Sequence, residues 1–406
     1  MHVFIITQYF PPEVGASASR WGDYTDIMLS KGHKVTVLCE MPNYPHGKIF
    51  SGYKNSWQKK EVISENFTII RSAVIANDRS TSLKKLLHYI SFAFVAIINA
   101  FKVKSYDLLI ISSPPLFVGL VGLVLNKFKK KDYWLDVRDL WPESVASLLN
   151  GKKSFYYKIG KKIESLIYNN AKGIIFPVPG FRKYFNDHPK TKEKPKIELK
   201  NGISSKLFKQ INKTNISIEK NFTVLYSGNI GLAQGLKSVI NSAEILKDYP
   251  IDFTMIGAGV EKNELLKIVN EKKLDKVTFH EPVDRNELIT WIKKASVCLV
   301  PLKKNELFKT ALPSKMFEYM ACGRPVICNQ GEAGDIIYNS NAGKVISPEE
   351  PSLIAEAIMY YYNNTTKIEA HGKNGYSYIK KNMIKEELMK KMFTEIKFFR
   401  EYNFKW

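Results

Sequence analysis

Acidic side chains are in short supply in this 406-residue chain: 39 Asp and Glu stand against 61 Lys and Arg, giving a formal net charge of +22. Cysteine is scarce too. The four present (Cys39, Cys298, Cys322, Cys328) form no C-x-x-C pair and have no companion histidines at metal spacing. That excludes a paired-cysteine metal centre, and the residues read as reduced thiols of a cytosolic protein. No Asp-x-Asp pair stands in a loop suited to a divalent cation. No apolar run reaches the ~18–20 residues of a membrane span. The N-terminus, MHVFIITQYFPP, lacks a basic flank and a long apolar core, so it reads as a first β-strand rather than a signal peptide.

The nearest approach to a span is Leu86–Phe101, sixteen residues containing His88 and Asn99, with Lys84, Lys85, Lys102 and Lys104 around it. A buried core helix and a helix lying in a membrane interface both suit this pattern. Positive charge is concentrated in the first half: residues 1–200 carry 31 Lys/Arg against 16 Asp/Glu (+15), and residues 201–406 carry 30 against 23 (+7). Lys127–Lys131 and the lysines from Lys190 to Lys200 belong to that half. Nucleic acid is not the expected partner, because no helix-turn-helix, zinc finger or aromatic-studded sheet accompanies the charge. An anionic membrane leaflet or a phosphorylated lipid fits better, with a plainly solvated surface as the alternative.

What the chain has in abundance is alternation. Short apolar runs alternate with helical patterns, which predicts an α/β protein with parallel sheets built from βαβ units. Strands are expected at Val3–Thr7, Val35–Leu38, Thr68–Arg71, Leu108–Ser112, Tyr133–Asp136 and Gly173–Pro177, then at Thr223–Ser227, Asp252–Ile256, Val277–His280, Val297–Pro301 and Val326–Cys328. At this length two domains of roughly 200 residues are expected. The polar stretch Ser204–Asn221 reads as the linker. The expected division is residues 1–200, residues 201–380, and a C-terminal helical segment, residues 381–406, packing back across the cleft. Two doubly wound domains would face each other across that cleft, where ligands bind at the C-terminal strand ends.

Several loops at those strand ends carry glycine or charge. Pro313–Ile327 (PSKMFEYMACGRPVI) sets Lys315 and Glu318 on one helical face, just after a proline that suits a first helical turn. A surface ion pair is the bland reading; a diphosphate at the helix start and sugar hydroxyls on the carboxylate are the sharper one. Gly228–Leu236 (GNIGLAQGL) is a glycine-spaced loop entering a helix, with Asn229 and Gly231 in it. Gly257-Ala258-Gly259 and Glu281-Pro282-Val283 follow the next two strands, so four such loops gather on one sheet edge. In the first half, the loop Pro11–Ser17 with Gly15 opens a helix, and Asn43–Lys48 follows a strand. Asp136–Glu143 (DVRDLWPE) places Arg138, Asp139, Trp141 and Glu143 after another, as a helix cap or as a donor or acceptor sugar site.

The motifs QYFPPEVGA, MPNYPHGK, DVRDLWPES, NG (Asn201-Gly202), SGNIGLAQGL and PSKMFEYMACGRPV resemble glycosyltransferase family 4 over essentially the whole chain. These are retaining, nucleotide-sugar-dependent enzymes of the GT-B fold, two Rossmann-like domains facing across a cleft. The likeness is greatest to the branch of N-acetyl-L-fucosamine transferases of bacterial O-antigen and capsule synthesis. It implies a cytoplasmic enzyme, peripheral on the inner face of the membrane, needing no cofactor or metal. It would move an N-acetylated 6-deoxyhexosamine from a UDP donor to a polyprenyl-diphosphate-linked saccharide.

By the same resemblance Lys315, Arg138 and Asp139 are the catalytic candidates. Donor contacts are expected from Gly15, Asn229, Gly231, Gly257, Gly259, Glu281, Val283, Lys315 and Glu318, and acceptor contacts from Asn43, Trp141 and Glu143. Glu318 matches the second glutamate of the family's Glu-x₇-Glu motif, which holds the nucleotide ribose. Thr310 stands where the first, donor-sugar glutamate belongs. Asn229 and Gln234 occupy the places of two cations that many members use on the diphosphate. Lys315 is the leading replacement, ahead of Arg138, Arg285 and Arg182, since an uncompensated leaving group forfeits electrostatic stabilisation. A UDP-sugar epimerase and a non-catalytic nucleotide-sugar or polyanion-binding subunit are the alternatives.

Overall fold

The apolar runs become the strands of two sheets in a computed structural model that describes residues 1–144, 155–214 and 221–401. One sheet lies in the unit formed by Met1–Lys200 and Met389–Trp406, the other in Asn201–Leu388.

In the N-terminal unit the strands are β1 (His2–Ile6), β2 (Lys34–Glu40), β3 (Gln58–Ser64), β4 (Phe67–Ser72), β5 (Leu108–Ser113), β6 (Trp134–Val137), β7 (Gly173–Phe176) and β8 (Lys196–Glu198). Their order is β3-β4-β2-β1-β5-β6-β7-β8. All neighbours are parallel except β3 and β4. The central strands are mostly apolar and almost wholly buried because helices cover both faces; Val3, Phe4, Ile5 and Ile6 have no exposed surface. The chain runs out from β1 to β2 and returns on the other side at β5, so the switch point lies between β1 and β5.

The C-terminal unit repeats the plan with β9 (Phe222–Ser227), β10 (Ile251–Ile256), β11 (Val277–His280), β12 (Val297–Val300), β13 (Val326–Asn329) and β14 (Gly343–Ile346), in the order β11-β10-β9-β12-β13-β14. Its switch point lies between β9 and β12.

Three strands escape the sequence pattern. β3 (QKKEVIS) is a mostly exposed antiparallel edge, so burial never imposed an apolar run on it. β8 has only three residues, and β14 (GKVI) is half-buried at every position, so neither carries the continuous apolar run that marks most of the other strands. The expected linker is in part a helix, Ser205–Lys213, whose Leu207, Phe208 and Ile211 enter the core and whose start is capped by Ser204 Oγ, 3.2 Å from the Leu207 amide. Residues 215–220 of that stretch lie outside the described residues.

The last helix, Lys385–Glu401, places Phe393 5.1 Å from the His33 ring and Phe399 6.1 Å from Trp134, both in the N-terminal unit. The helix around Leu86–Phe101 is longer than its apolar run. It starts at Ser82, where Thr81 Oγ1 caps the Lys84 amide, and its 20 residues match a span in length and composition. Its faces differ, however. His88, Phe92, Val95, Ala96 and Asn99 are buried against the unit, while Leu83, Leu87, Ile90, Phe94 and Ile98 are 38–65% exposed.

Candidate functional site

The C-terminal unit builds its site from backbone outward at the β9/β12 switch point. Gly228 (φ +127°), Gly257 (φ +148°) and Gly259 (φ +158°) hold conformations that side chains disfavour. They also allow two loops to touch: a Cβ on Gly257 would stand 1.9 Å from the Gly228 carbonyl oxygen, and one on Gly259 2.2 Å from that of Ile230. The Gly228 amide donates to Ile256 O at 2.8 Å, and the Ile230 amide to Ala258 O at 2.8 Å. Gly257 and Gly259, expected as donor contacts, therefore serve first as the seam between the loops.

Lys315, in the first turn of the helix Ser314–Ala321, lies across this seam. Its Nζ stands 3.9 Å from the centroid of the Tyr226 ring, and a Cβ on Gly228 would be 2.7 Å from it. Burial draws the ammonium down to about 7, opposed by the charge of Glu318 one turn on. Tyr319 fixes the helix to the strand end, its hydroxyl 2.8 Å from the Ser227 amide and 2.9 Å from Ser227 Oγ. Asn229 and Gln234 converge over Gly231, since a Cβ there would meet Asn229 Nδ2 at 2.5 Å and Gln234 Oε1 at 3.3 Å. The Gln234 oxygen is buried without a hydrogen-bond donor. The structure thus gathers Lys315, Asn229, Gly231 and Gln234 at one place.

Glu281 is different. Its largely exposed carboxylate pairs with Lys262 Nζ at 2.7 Å, while Val283 packs at the edge of the core. Arg285 is exposed on the helix Arg285–Lys294, and Arg182 packs over Phe176 in the N-terminal unit at 5.3 Å.

The N-terminal unit holds a recess of about 230 Å³ at the corresponding sheet edge, lined among others by Tyr9, Gly15, Tyr44, Tyr89, Arg138 and Trp141. Aromatic pairs form its wall: Tyr9 with Tyr44 at 5.6 Å and Tyr89 with Trp141 at 5.8 Å. Arg138 supplies the charge. Burial lowers its guanidinium to about 10, offset in part by Asp136, whose Oδ2 is 4.0 Å from Nε. Gly15 belongs to this recess, at the start of the helix Ala16–Ser30 with φ +122°.

Three expected site residues, the catalytic candidate Asp139 and the acceptor candidates Asn43 and Glu143, have bonding partners within the protein. Asn43 is fully buried: its amide donates to Glu13 Oε1 and its Nδ2 to Glu40 Oε1, at 2.9 and 2.6 Å. Asp139 does not line the recess; it accepts from Trp141 Nε1 at 3.2 Å and Ser144 Oγ at 3.0 Å, and so fixes the Trp141 ring. Glu143 accepts from Lys161 Nζ at 2.6 Å. Asp136 likewise serves the interior, held by Arg20, Trp21 and Ser112 at 2.9, 3.1 and 2.8 Å. Asn43, Glu143 and Asp136 have partners in distant segments, which spacing along the chain does not disclose, whereas Asp139 is held locally, by residues two and five positions on. Tyr89 and Tyr226 carry no motif signal, one standing in an apolar helix and the other in a strand. Pro114 and Pro115, which also line the recess, could have been found as the loop after a predicted strand.

Residues 208–378 match the family described as "Glycosyl transferases group 1". Over nearly its full length the chain is similar to the putative colanic acid biosynthesis glycosyl transferase WcaI of Escherichia coli (strain K12), 21% identical and covering 98% of this chain and 100% of the relative. Among solved structures it resembles a sucrose-phosphate synthase from Thermosynechococcus elongatus, with a TM-score of 0.76, 18% identity and 99% and 100% of the two chains covered. It also resembles the Anabaena protein HepE in complex with UDP and glucose, with a TM-score of 0.67, 14% identity and 97% and 99% covered. The fold is GT-B, two Rossmann-like α/β units, and the stretch matched by the group 1 glycosyltransferase family model lies within the C-terminal unit.

Proposed function

We propose that this protein is a retaining glycosyltransferase of bacterial surface-polysaccharide synthesis, which takes its sugar from a UDP donor and passes it to a polyprenyl-diphosphate-linked saccharide. The observation that carries the reading is Lys315 at the β9/β12 switch point, a cation beside glycine-loop amides where open α/β sheets bind nucleotides. The relative's assignment to colanic acid synthesis and the UDP and glucose bound by HepE support the class of donor and product. The resemblance to N-acetyl-L-fucosamine transferases makes an N-acetylated 6-deoxyhexosamine the proposed sugar.

In this reading Lys315 and the amides around Gly231 stabilise the diphosphate as it departs, replacing the cations absent at Asn229 and Gln234. Glu318 accepts from the ribose, and Gln234 Oε1 accepts from the donor. The bond from the anomeric carbon to the diphosphate breaks, a bond to the acceptor oxygen forms on the same face, and the acceptor proton passes to the departing phosphate. No metal is required. The acceptor saccharide stacks on Tyr9, Tyr89 and Trp141 in the recess of the N-terminal unit, with Arg138 facing its charged or hydroxylated groups.

The protein works as a cytoplasmic enzyme attached to the anionic inner leaflet. The apolar stripe Leu83, Leu87, Ile90, Phe94 and Ile98, with the exposed Trp57 beside Phe94, supports that placement. Lysines at 84, 85, 102 and 104 supply the complementary charge. Buried His88 and Asn99 tie the opposite face down, through Ile75 O at 3.1 Å and Trp57 O at 2.9 Å, so the helix would lie on the leaflet and not cross it.

Incubation with membranes, EDTA and a panel of labelled UDP-sugars tests the reading. Label entering lipid is the expected result. A new soluble sugar nucleotide would make the protein an epimerase, and neither product would leave it a binding subunit.

A further inference from the structure

Tyr226 has no role in the reading above, yet it touches both of its parts. It is the penultimate residue of β9, and its ring is fully buried. The ring face lies under Lys315 Nζ at 3.9 Å, and its hydroxyl donates to the Asn229 carbonyl at 2.5 Å, closing the turn that begins the glycine loop. Gly228 completes the berth by having no side chain where the lysine crosses it. Among the described residues no carboxylate stands within 4 Å of the ammonium; Glu318 faces it from its own helix. Tyr319 and, near Tyr226, Glu261 are the other titratable groups around this strand end.

A half-buried ammonium without a salt bridge has little to keep it charged and aimed. An aromatic face attracts a cation by ~0.5–2 kcal/mol and takes up only part of an ammonium's three N–H donors, leaving the rest for a phosphate.

Resting on the UDP-donor reading, we propose that Tyr226 is a positioning residue for the diphosphate: its ring holds Lys315 charged and aimed over the glycine loop, while its hydroxyl holds the loop beneath it. Loss of the ring removes the lysine's contribution to phosphate binding even though the lysine remains. Loss of the hydroxyl alone does not.

The test is calorimetric binding of UDP and of uridine, which has no phosphate, to the wild type, Lys315→Ala, Tyr226→Leu, Tyr226→Phe and the double variant Lys315→Ala/Tyr226→Leu. Each of Lys315→Ala and Tyr226→Leu should weaken UDP about tenfold, and the double variant no further than Lys315→Ala alone. Tyr226→Phe should stay within about twofold of wild type, and uridine affinity should be unchanged throughout. A second readout needs no ligand: NMR titration of the lysine Cε in the free protein should show a lower Lys315 midpoint in Tyr226→Leu. Additive losses in the double variant, equal loss of uridine, or an unmoved midpoint would each overturn the proposal. A wild type that binds no UDP, with a midpoint that still falls in Tyr226→Leu, would overturn the donor reading and leave the tyrosine–lysine pairing standing.

Discussion

Asn43 bridges two buried carboxylates: its backbone amide donates to Glu13 and its side-chain amide to Glu40, at 2.9 and 2.6 Å. Gln8 donates to Glu40 as well, at 2.6 Å, so the loop after β1 and the loop after β2 share one hydrogen-bonded knot. Truncating the side chain leaves Glu40 Oε1 and the Met41 carbonyl without that donor, while the backbone amide still serves Glu13. Asn43→Ala is expected to lower unfolding stability by about 1–3 kcal/mol, measured by urea denaturation. A variant of wild-type stability that has lost acceptor affinity would return Asn43 to the binding surface.

Burial, with the charge of Glu40 behind it, raises the Glu13 carboxyl to about 8. Between its ordinary value of 4.5 and that figure the folded protein binds the proton that the unfolded chain has released. Stability is therefore expected to fall as pH rises through this window. Glu13→Gln should flatten the decline in thermal melts between pH 5 and about 8.

Lys315 titrates with the opposite consequence for folding and a direct one for binding. The folded value near 7 lies below the ordinary 10.5, so the unfolded state holds more protons across that interval and stability rises with pH through it. UDP affinity should move the other way, weakening as pH climbs past 7 and the ammonium discharges. Lys315→Met should bind weakly and independently of pH, as calorimetry at several pH values would reveal.

Glu318→Ala tests the ribose placement. Donor KM is expected to rise tenfold or more, a loss of about 1.4 kcal/mol or greater, with the fold intact by circular dichroism. Unchanged affinity and turnover would move the ribose elsewhere.

For the membrane face, changing Lys84, Lys85, Lys102 and Lys104 together to Gln should reduce partition to anionic vesicles by more than about tenfold at physiological salt, since each basic residue near such a surface contributes about 1 kcal/mol. Phe94→Asp should weaken binding to neutral vesicles too. Partition insensitive to both changes would detach this helix from lipid.

The alternating pattern of the chain discloses the two sheets because parallel strands, covered on both faces, are buried along their length and so mostly apolar; Val35–Leu38 and Thr223–Ser227 are of this kind. It also locates the glycine loops and Lys315, where strand ends and helix starts are marked by composition. It does not distinguish a polar side chain facing ligand from one facing inward. Asn43, Asp139 and Glu143 follow strands as binding residues do, but Glu13 and Lys161, the partners of Asn43 and Glu143, become neighbours only once the chain has folded, and the local bonds of Asp139 to Trp141 and Ser144 leave no mark in the pattern. Tyr89 and Tyr226 fail in the reverse direction, as aromatic residues in apolar runs whose one useful face is set by tertiary packing.

The interlocked backbones at Gly228, Gly257 and Gly259 bear on how such a site changes over evolutionary time. A side chain at 257 or 259 collides with main chain that has nowhere to retreat, and one at 228 displaces the lysine. These positions are closed to variation. A descendant of this protein with a new sugar preference must alter the side chains seated on that fixed floor, at Asn229, Gln234 and the segment leading from Thr310 to Lys315, so its history of substrate change should be written there.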